Sequence, residues 1–386
     1  MSPSEIYELE GLSFLEDLAN EYERQNGLAP FDLSHWDPSD HTVNALLKDL
    51  RLPCPLVATP YIYSYYTGLQ QQIIQRLGFP PATRDCLFVQ AGTNAMLLAI
   101  WWLKSLNMTR IMILCPAYFP VFYDSEIMDL PHVSLFMRRD RGRWQLPRKE
   151  IMSVIREAPA GTAVWVTNPV YCTGNYLSES DVRFLDLLLS DGVTIVGDEC
   201  LSINGHELGR RLGHSERFLG IYSPHKSVSI NAVKFAAIVF DAKYEEFFDS
   251  WADVLAGSLS ASSYTAILHF LGDNFSQFQA AFLRHTSTAR ENVVRIIRDR
   301  GIPVETDEDS LGHFMTCYAP RVHGDKGSDK EFLRELVSNT GAILIPGVRN
   351  HFSPDLGFSF RINLARECPQ FYAAFHRTIE YLAGIT

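Results

Sequence analysis

The stretch Val196–Phe240, VGDECLSINGHELGRRLGHSERFLGIYSPHKSVSINAVKFAAIVF, decides how the chain is read. One apolar run, VTIVGDE, ends in the carboxylates Asp198 and Glu199. A second, FLGIYS, ends in Ser223, and Lys226 follows among small polar residues before a third run, VKFAAIVF. Runs that are apolar at successive positions predict strands covered on both faces. In an open sheet of such strands, ligands bind beyond the carboxyl ends. Asp198, Ser223 and Lys226 are therefore the first candidates for chemistry. Taken singly, each has a plainer reading: the acidic pair as a solvated loop, Lys226 as a surface lysine.

The same pattern extends outward. CLFVQ (86–90), RIMILC (110–115) and TAVWVT (162–167) each lead into a helical stretch, expected near 94–105, near 119–128 and from the Ser-Glu-Ser-Asp at 178. This alternation predicts an α/β fold with a mostly parallel central sheet flanked by helices. The strand ends add QAGTNA (90–95), CPAYFP (115–120) and TNPVYCTGNYL (167–177) to the candidates. Gly92, Thr93 and Asn94 read either as a capped turn or as an anion site on a helix N-terminus. Beyond residue 257 the pattern changes to long helices (260–271, 275–299), then GHFMTCYA, a helix at 329–339, AILIPG, FSFRINLA and a closing helix from 369. That predicts a smaller α+β unit. The expected division is 1–50 for an N-terminal arm and part of the small domain, 51–285 for the large domain and 286–386 for the small one. Leu12, Leu15, Ala19 and Tyr22 share one face of a helix at 11–25, to be buried on its own domain or on a partner chain.

The chain has 386 residues, 46% of them apolar, enough for a sizeable core. Its 34 basic and 45 acidic residues give a net charge of −11 with no basic run, which argues against nucleic-acid partners. Seven cysteines without a CxxC pair point to a reduced, cytoplasmic compartment. The acidic start MSPSEIYELEGL lacks the basic flank of an export signal, and AMLLAIWWL (95–103) is under half of the ~20 residues that span a bilayer. A soluble protein without a membrane partner is expected.

In order and spacing these segments resemble the class I/II aminotransferase superfamily, the fold-type I enzymes that use pyridoxal 5'-phosphate (PLP). The resemblance runs from about residue 30 to the C-terminus. YSPHKSVSINAVKF is similar to the family's lysine segment, which implies that Lys226 is the Schiff-base residue and Ser223 a phosphate ligand. VGDEC implies that Asp198 holds the pyridinium nitrogen, keeping the ring an electron sink. AGTNA implies a phosphate cradle with Gly92 and Thr93 as donors. CPAYFP places Tyr118 as the ring stacked on the cofactor. FSFRINLA implies that Arg361 grips the substrate α-carboxylate, where a planar fork outperforms a lysine. YSYYTG places Tyr63 near the cofactor of a neighbouring subunit, implying a homodimer. Lys226, once displaced by substrate, would be the base for the Cα proton.

The resemblance is interrupted around one edge of the cofactor. Tyr171 stands where the family carries an Asn, and Leu201 where it carries a Tyr; both family residues donate to the phenolic oxygen. Tyr171 is expected to reach that oxygen itself. Lys234 replaces a phosphate arginine, and Trp36, in DLSHWDPSD, replaces a pocket glycine. These changes suggest a member devoted to specialised metabolism. The expected reaction proceeds through aldimine and quinonoid intermediates at Cα of a free L-amino acid. It leans to β/γ-elimination with cyclisation of a hydroxylated basic amino acid such as hydroxyarginine, as in capreomycidine-synthase-like enzymes, with Asp37 or Asp40 as a candidate to face the guanidinium and a solvated loop as the plainer reading of either. An aminotransferase and an oxygen-using PLP oxidase are the alternatives.

Overall fold

The computed structural model describes residues 12–48, 50, 52, 62–63, 67–158, 161–203, 205–255, 257–307 and 309–385. Seven strands form the large sheet: β1 (Arg84–Val89), β2 (Arg110–Cys115), β3 (His132–Phe136), β4 (Thr162–Thr167), β5 (Thr194–Glu199), β6 (Phe218–Tyr222) and β7 (Ala236–Asp241). Their order is β1-β7-β6-β5-β4-β2-β3. The pairs from β6 to β3 are parallel, and β7 runs antiparallel to both its neighbours. Every residue of β4, β5 and β6 is buried, as continuous apolar runs require of strands covered on both faces. Because β1, β2, β4, β5 and β6 point the same way, their carboxyl ends meet along one edge. The amino end of the reversed β7 joins them there.

Helix α1 spans Leu12–Asn26. Its Leu15 and Leu18 are buried in a core shared with Leu333, Leu336 and Phe375 of the same chain, so the arm's stripe is covered by its own protein. Leu12 lies outside the described side chains. Helix α2 (Gly92–Ser105) follows β1 directly, two residues earlier than its periodicity suggests. It packs almost all round, with Ala95, Met96, Ala99, Ile100 and Leu103 buried.

Helix α3 (Asp273–Arg300) has 28 residues, about 42 Å of helix. Its Phe275 and Phe282 sit in the core beneath the large sheet, whereas Ala289, Val293 and Ile297 sit in the second core. Gly301, at φ +58°, ends it in the left-handed conformation that glycine adopts most cheaply. The second core lies against an antiparallel sheet of β8 (Glu305–Thr306), β9 (Phe314–Ala319), β10 (Ile345–Pro346) and β11 (Phe358–Asn363), in the order β8-β9-β11-β10. The expected strand AILIPG is divided. Ala342–Ile343 pairs with Phe31–Asp32, and Ile345–Pro346 pairs with β11, where Pro346 ends an edge strand that needs no further N–H donor.

A buried carboxylate ties the small antiparallel sheet to the hairpin 138–145 and the loop that follows β4. Asp307, with a fully buried side chain, meets Arg139 Nε at 2.7 Å and accepts bonds from Trp144 (3.1 Å), Asn175 (2.9 Å) and Tyr318 (3.2 Å). The Arg139 guanidinium lies 4.1 Å from the Tyr318 ring centroid. Such a node is stable only because every member is satisfied. No helix among the described residues is long and apolar enough to cross a membrane. The described cysteines are all free, and Cys54 lies outside the described residues.

Candidate active site

Lys226 sits in a short 3-10 turn, Pro224–Val228, that closes when Ser229 adopts a left-handed φ of +57°. The turn lifts the half-buried lysine off the end of β6 into an aromatic box. Its Nζ is 5.8 Å from the centroids of both Trp36 and Tyr118. Tyr118 stacks on Tyr171 at 5.4 Å, and Trp36 meets Phe314 edge-on at 4.8 Å. Leu201 packs against the same group.

Trp36 is fixed through its carbonyl, which accepts bonds from Ser229 (3.1 Å), Asn231 (3.0 Å) and Asn363 (3.3 Å). The first two donors follow Lys226 and the third ends β11, so this carbonyl joins the lysine turn to the arginine strand. Arg361 on β11 packs against both the Trp36 and Phe314 rings, 4.9 Å from each centroid. One Nη donates to the Ser34 carbonyl at 3.1 Å, and the other approaches the Tyr171 hydroxyl at 3.5 Å and Cys172 Sγ at 3.6 Å. Its Nε is buried without a partner. Among the described residues no carboxylate pairs with this guanidinium, which leaves a buried fork ready for an anion.

The two carboxylates of β5 face different environments. Asp198 is 3% exposed, and Cys200 N–H donates to it at 3.2 Å. Burial raises its pKa, against the pull of that bond and of Lys226. Glu199 is consumed internally by Tyr222, by Leu208 N–H at 2.7 Å and by Asn168 at 3.1 Å. Burial nevertheless lifts it to about 8. Asp198 therefore serves the cluster, whereas Glu199 braces the sheet end.

Helix α2 points its N-terminus at the same place. Its N-cap, Ala91, offers no side-chain cap, and while Asn94 and Ala95 N–H turn back to the Ala91 carbonyl, the N–H groups of Gly92 and Thr93 are left to a ligand. A Cβ on Gly92 would stand 2.8 Å from Cys200 Sγ and 3.3 Å from Lys226 Nζ. Only glycine leaves that cradle open. Lys234, just ahead of β7, is half-buried and makes no ion pair among the described residues. Burial and the nearby Lys226 lower its pKa. The Ser223 hydroxyl donates to the Phe235 carbonyl at 2.9 Å, so it would have to turn to serve a ligand.

The structure thus gathers Lys226, Asp198, Gly92, Thr93, Tyr118, Tyr171, Trp36, Arg361, Ser223 and Lys234 at one sheet edge. Tyr63 differs: its side chain is 44% exposed beside the bridge between Ile62 and Leu259. The rest of its motif, Ser64 to Tyr66, lies outside the described residues. Asp37 and Asp40 are exposed. Asp37 faces His35 at 3.6 Å and Asn231 at 3.5 Å, not an enclosed pocket. Phe314, Cys172 and Cys200 were missed by sequence reasoning. Only Cys200, two residues past Asp198, had a local signal.

No protein-family model matches the chain, and neither does any curated protein sequence. Solved structures do match it. A double mutant of Thermus thermophilus aspartate aminotransferase superposes with a TM-score of 0.77 at 14% identity, covering 98% of this chain and 97% of the other. The chain has the aminotransferase fold. N-succinyldiaminopimelate aminotransferase from Mycobacterium tuberculosis gives 0.75 at 15% identity, over 98% of this chain and all of that one (100%). Cystalysin from Treponema denticola, whose structure contains pyridoxal 5'-phosphate, gives 0.71 at 12% identity over 95% of each chain. With the aminotransferase fold, the carboxyl edge of the large sheet is where the cluster around Lys226 is built.

Proposed function

We propose that the chain is a PLP-dependent enzyme acting at Cα of an amino acid, and that its reaction is amino-group transfer to a 2-oxo acid. The observation that carries this reading is the cradle. Lys226 Nζ lies against the space kept open by Gly92, over an uncapped helix N-terminus and near a buried Asp198 that makes no direct ion pair among the described residues.

These residues fit PLP. Gly92 and Thr93 N–H groups, Ser223 and Lys234 would take the phosphate, with Lys234 a point charge and not a fork. Asp198 would face the protonated ring nitrogen, which would give its buried carboxylate a directly bonded positive partner in addition to the through-space pull of Lys226. Tyr118 would stack on the ring, and Lys226 would hold the cofactor covalently. Burial keeps the Tyr171 hydroxyl protonated, well above its ordinary range. It is thus available as a donor to the phenolic oxygen, a role the apolar Leu201 cannot fill. PLP, when bound, supplies the electron sink for the pair left at Cα.

The chain's own residues do the rest. Arg361 seats the substrate α-carboxylate, and Trp36 with Phe314 excludes water from that seat, strengthening its charge-assisted bonds. Lys226, freed by substrate, would take the Cα proton and hold it on its amine, the group placed to return it in aminotransfer. Cyclisation of a hydroxylated basic amino acid needs a carboxylate for the guanidinium. The exposed Asp37 and Asp40 supply none facing the box, so the geometry favours aminotransfer. The exposed Tyr63 is proposed to complete the site of a second copy in a homodimer.

The test is incubation of the PLP-loaded protein with single amino acids, followed by mass analysis. A 2-oxo acid formed with stoichiometric pyridoxamine phosphate supports aminotransfer. Pyruvate with ammonia from a β-substituted amino acid would instead assign a lyase, and a product that keeps its nitrogen but loses water would restore cyclisation.

A further inference from the structure

Helix α3 and the loop 309–312 enclose a second groove of about 810 Å³, and none of its lining residues belongs to the aromatic box. Its floor holds Arg290 and Ser310, which are 6% and 3% exposed. One Arg290 Nη donates to the Gly312 carbonyl at 2.8 Å, but its Nε is buried without an acceptor. No carboxylate pairs with it among the described residues. The Ser310 hydroxyl is also buried without a partner. Burial brings the Arg290 pKa down to about 10, so the guanidinium remains charged at neutral pH. A buried cation and a buried hydroxyl lining one groove, both unsatisfied, are costly unless an oxyanion joins them.

The walls add a second requirement. Leu283, Val294 and Leu311 line the groove, and Leu311 is 39% exposed at its side. The rim balances Arg284, Arg295 and Arg298 against Glu291, Asp299 and Asp309, so charge selection falls to the floor. An inorganic anion would satisfy Arg290 but leave the leucines wet.

We propose that this groove binds a small organic acid, with its carboxylate on Arg290 and Ser310 and its apolar body against Leu283, Val294 and Leu311. The loop that forms the site also reaches the aromatic box. Leu311 N–H donates to the Gly174 carbonyl at 2.8 Å, and Thr316 Oγ1 donates to the Cys172 carbonyl at 2.9 Å. Phe314, between them, covers Arg361 at 4.9 Å. Occupancy of the groove therefore bears on the loop that shapes the Arg361 seat. The proposal does not depend on PLP binding.

Calorimetric titration of the full-length protein with benzoate, and separately with inorganic phosphate, tests it. Expected are benzoate uptake, phosphate binding at least tenfold weaker, and loss of one benzoate equivalent, or its weakening at least tenfold, in Arg290→Gln. Leu311→Asp, at a partly exposed position that keeps Arg290, should have the same effect and decides the matter if Arg290→Gln does not fold. The proposal is overturned by no benzoate uptake, meaning a groove held by water only, by phosphate binding as tight as benzoate, or by an isotherm unchanged in the folded variants.

Discussion

The Arg361 guanidinium lies 4.9 Å from the centroid of the Trp36 ring, and the Trp36 carbonyl is bonded to Ser229 and Asn231 just past Lys226. Trp36, which stands in place of a pocket glycine, is thus also the brace between the proposed carboxylate seat and the proposed catalytic lysine. Arg361→Lys keeps the charge but loses both the fork and the stacking. A hydrogen bond to a charged group is worth about 1.5–3 kcal/mol. Steady-state kinetics should show kcat/KM reduced roughly 10- to 100-fold, with the circular dichroism unchanged.

Gly92→Ala probes the cradle. The new Cβ would press on Cys200 Sγ and Lys226 Nζ at 2.8 and 3.3 Å. PLP affinity should fall at least about tenfold, ~1.4 kcal/mol. The cofactor-free melting temperature should change little, because alanine's helix propensity offsets part of the strain. Fluorescence titration with PLP reads the first effect and thermal melting the second.

The sheet and the polar residues at its strand ends were legible for one physical reason. A strand covered on both faces must be apolar at successive positions, so the polar residues that end it stand out, and Asp198, Ser223 and Lys226 were found that way. The box around Arg361 was not legible, because Trp36, Phe314 and Arg361 come from three distant segments. Their meeting is set by carbonyl bonds from Ser229, Asn231 and Asn363 that leave no periodic trace. The sequence left Asp37 open between a substrate contact and a solvated loop for the same reason: nothing local shows that its carboxylate turns to His35 and Asn231. The division of AILIPG likewise reflects a change of strand partner at Leu344 that hydropathy does not record.

Asp307→Asn should weaken the joint between the small sheet and the hairpin 138–145. The change removes the charge facing Arg139 while its three other donors, Trp144, Asn175 and Tyr318, remain buried around it. Removing one partner of a buried ion pair costs about 3–5 kcal/mol. The remaining 2.8 Å contact of Arg139 with Glu305 argues for the lower end. Urea unfolding at neutral pH checks this.

Acid should destabilise the protein through buried histidines. Burial pulls His313 from 6.5 down to about 3. Below pH 6.5 the unfolded chain takes up the proton and the folded chain does not, so stability is lost as pH falls from 6.5 towards 3. At pH 5 one such group has removed about 2 kcal/mol. His313→Phe, next to the Phe282 and Phe314 rings, should lose that much less between pH 7 and pH 5, as read from urea midpoints.

The central claim, that Lys226 is the residue that holds PLP, is tested most directly by loading the protein with PLP, reducing with borohydride and mapping the added mass by peptide mass spectrometry. The account predicts one phosphopyridoxyl group per chain, on the peptide containing Lys226, and none in Lys226→Ala. Labelling at Lys234 or another lysine, or the same label in Lys226→Ala, would contradict it.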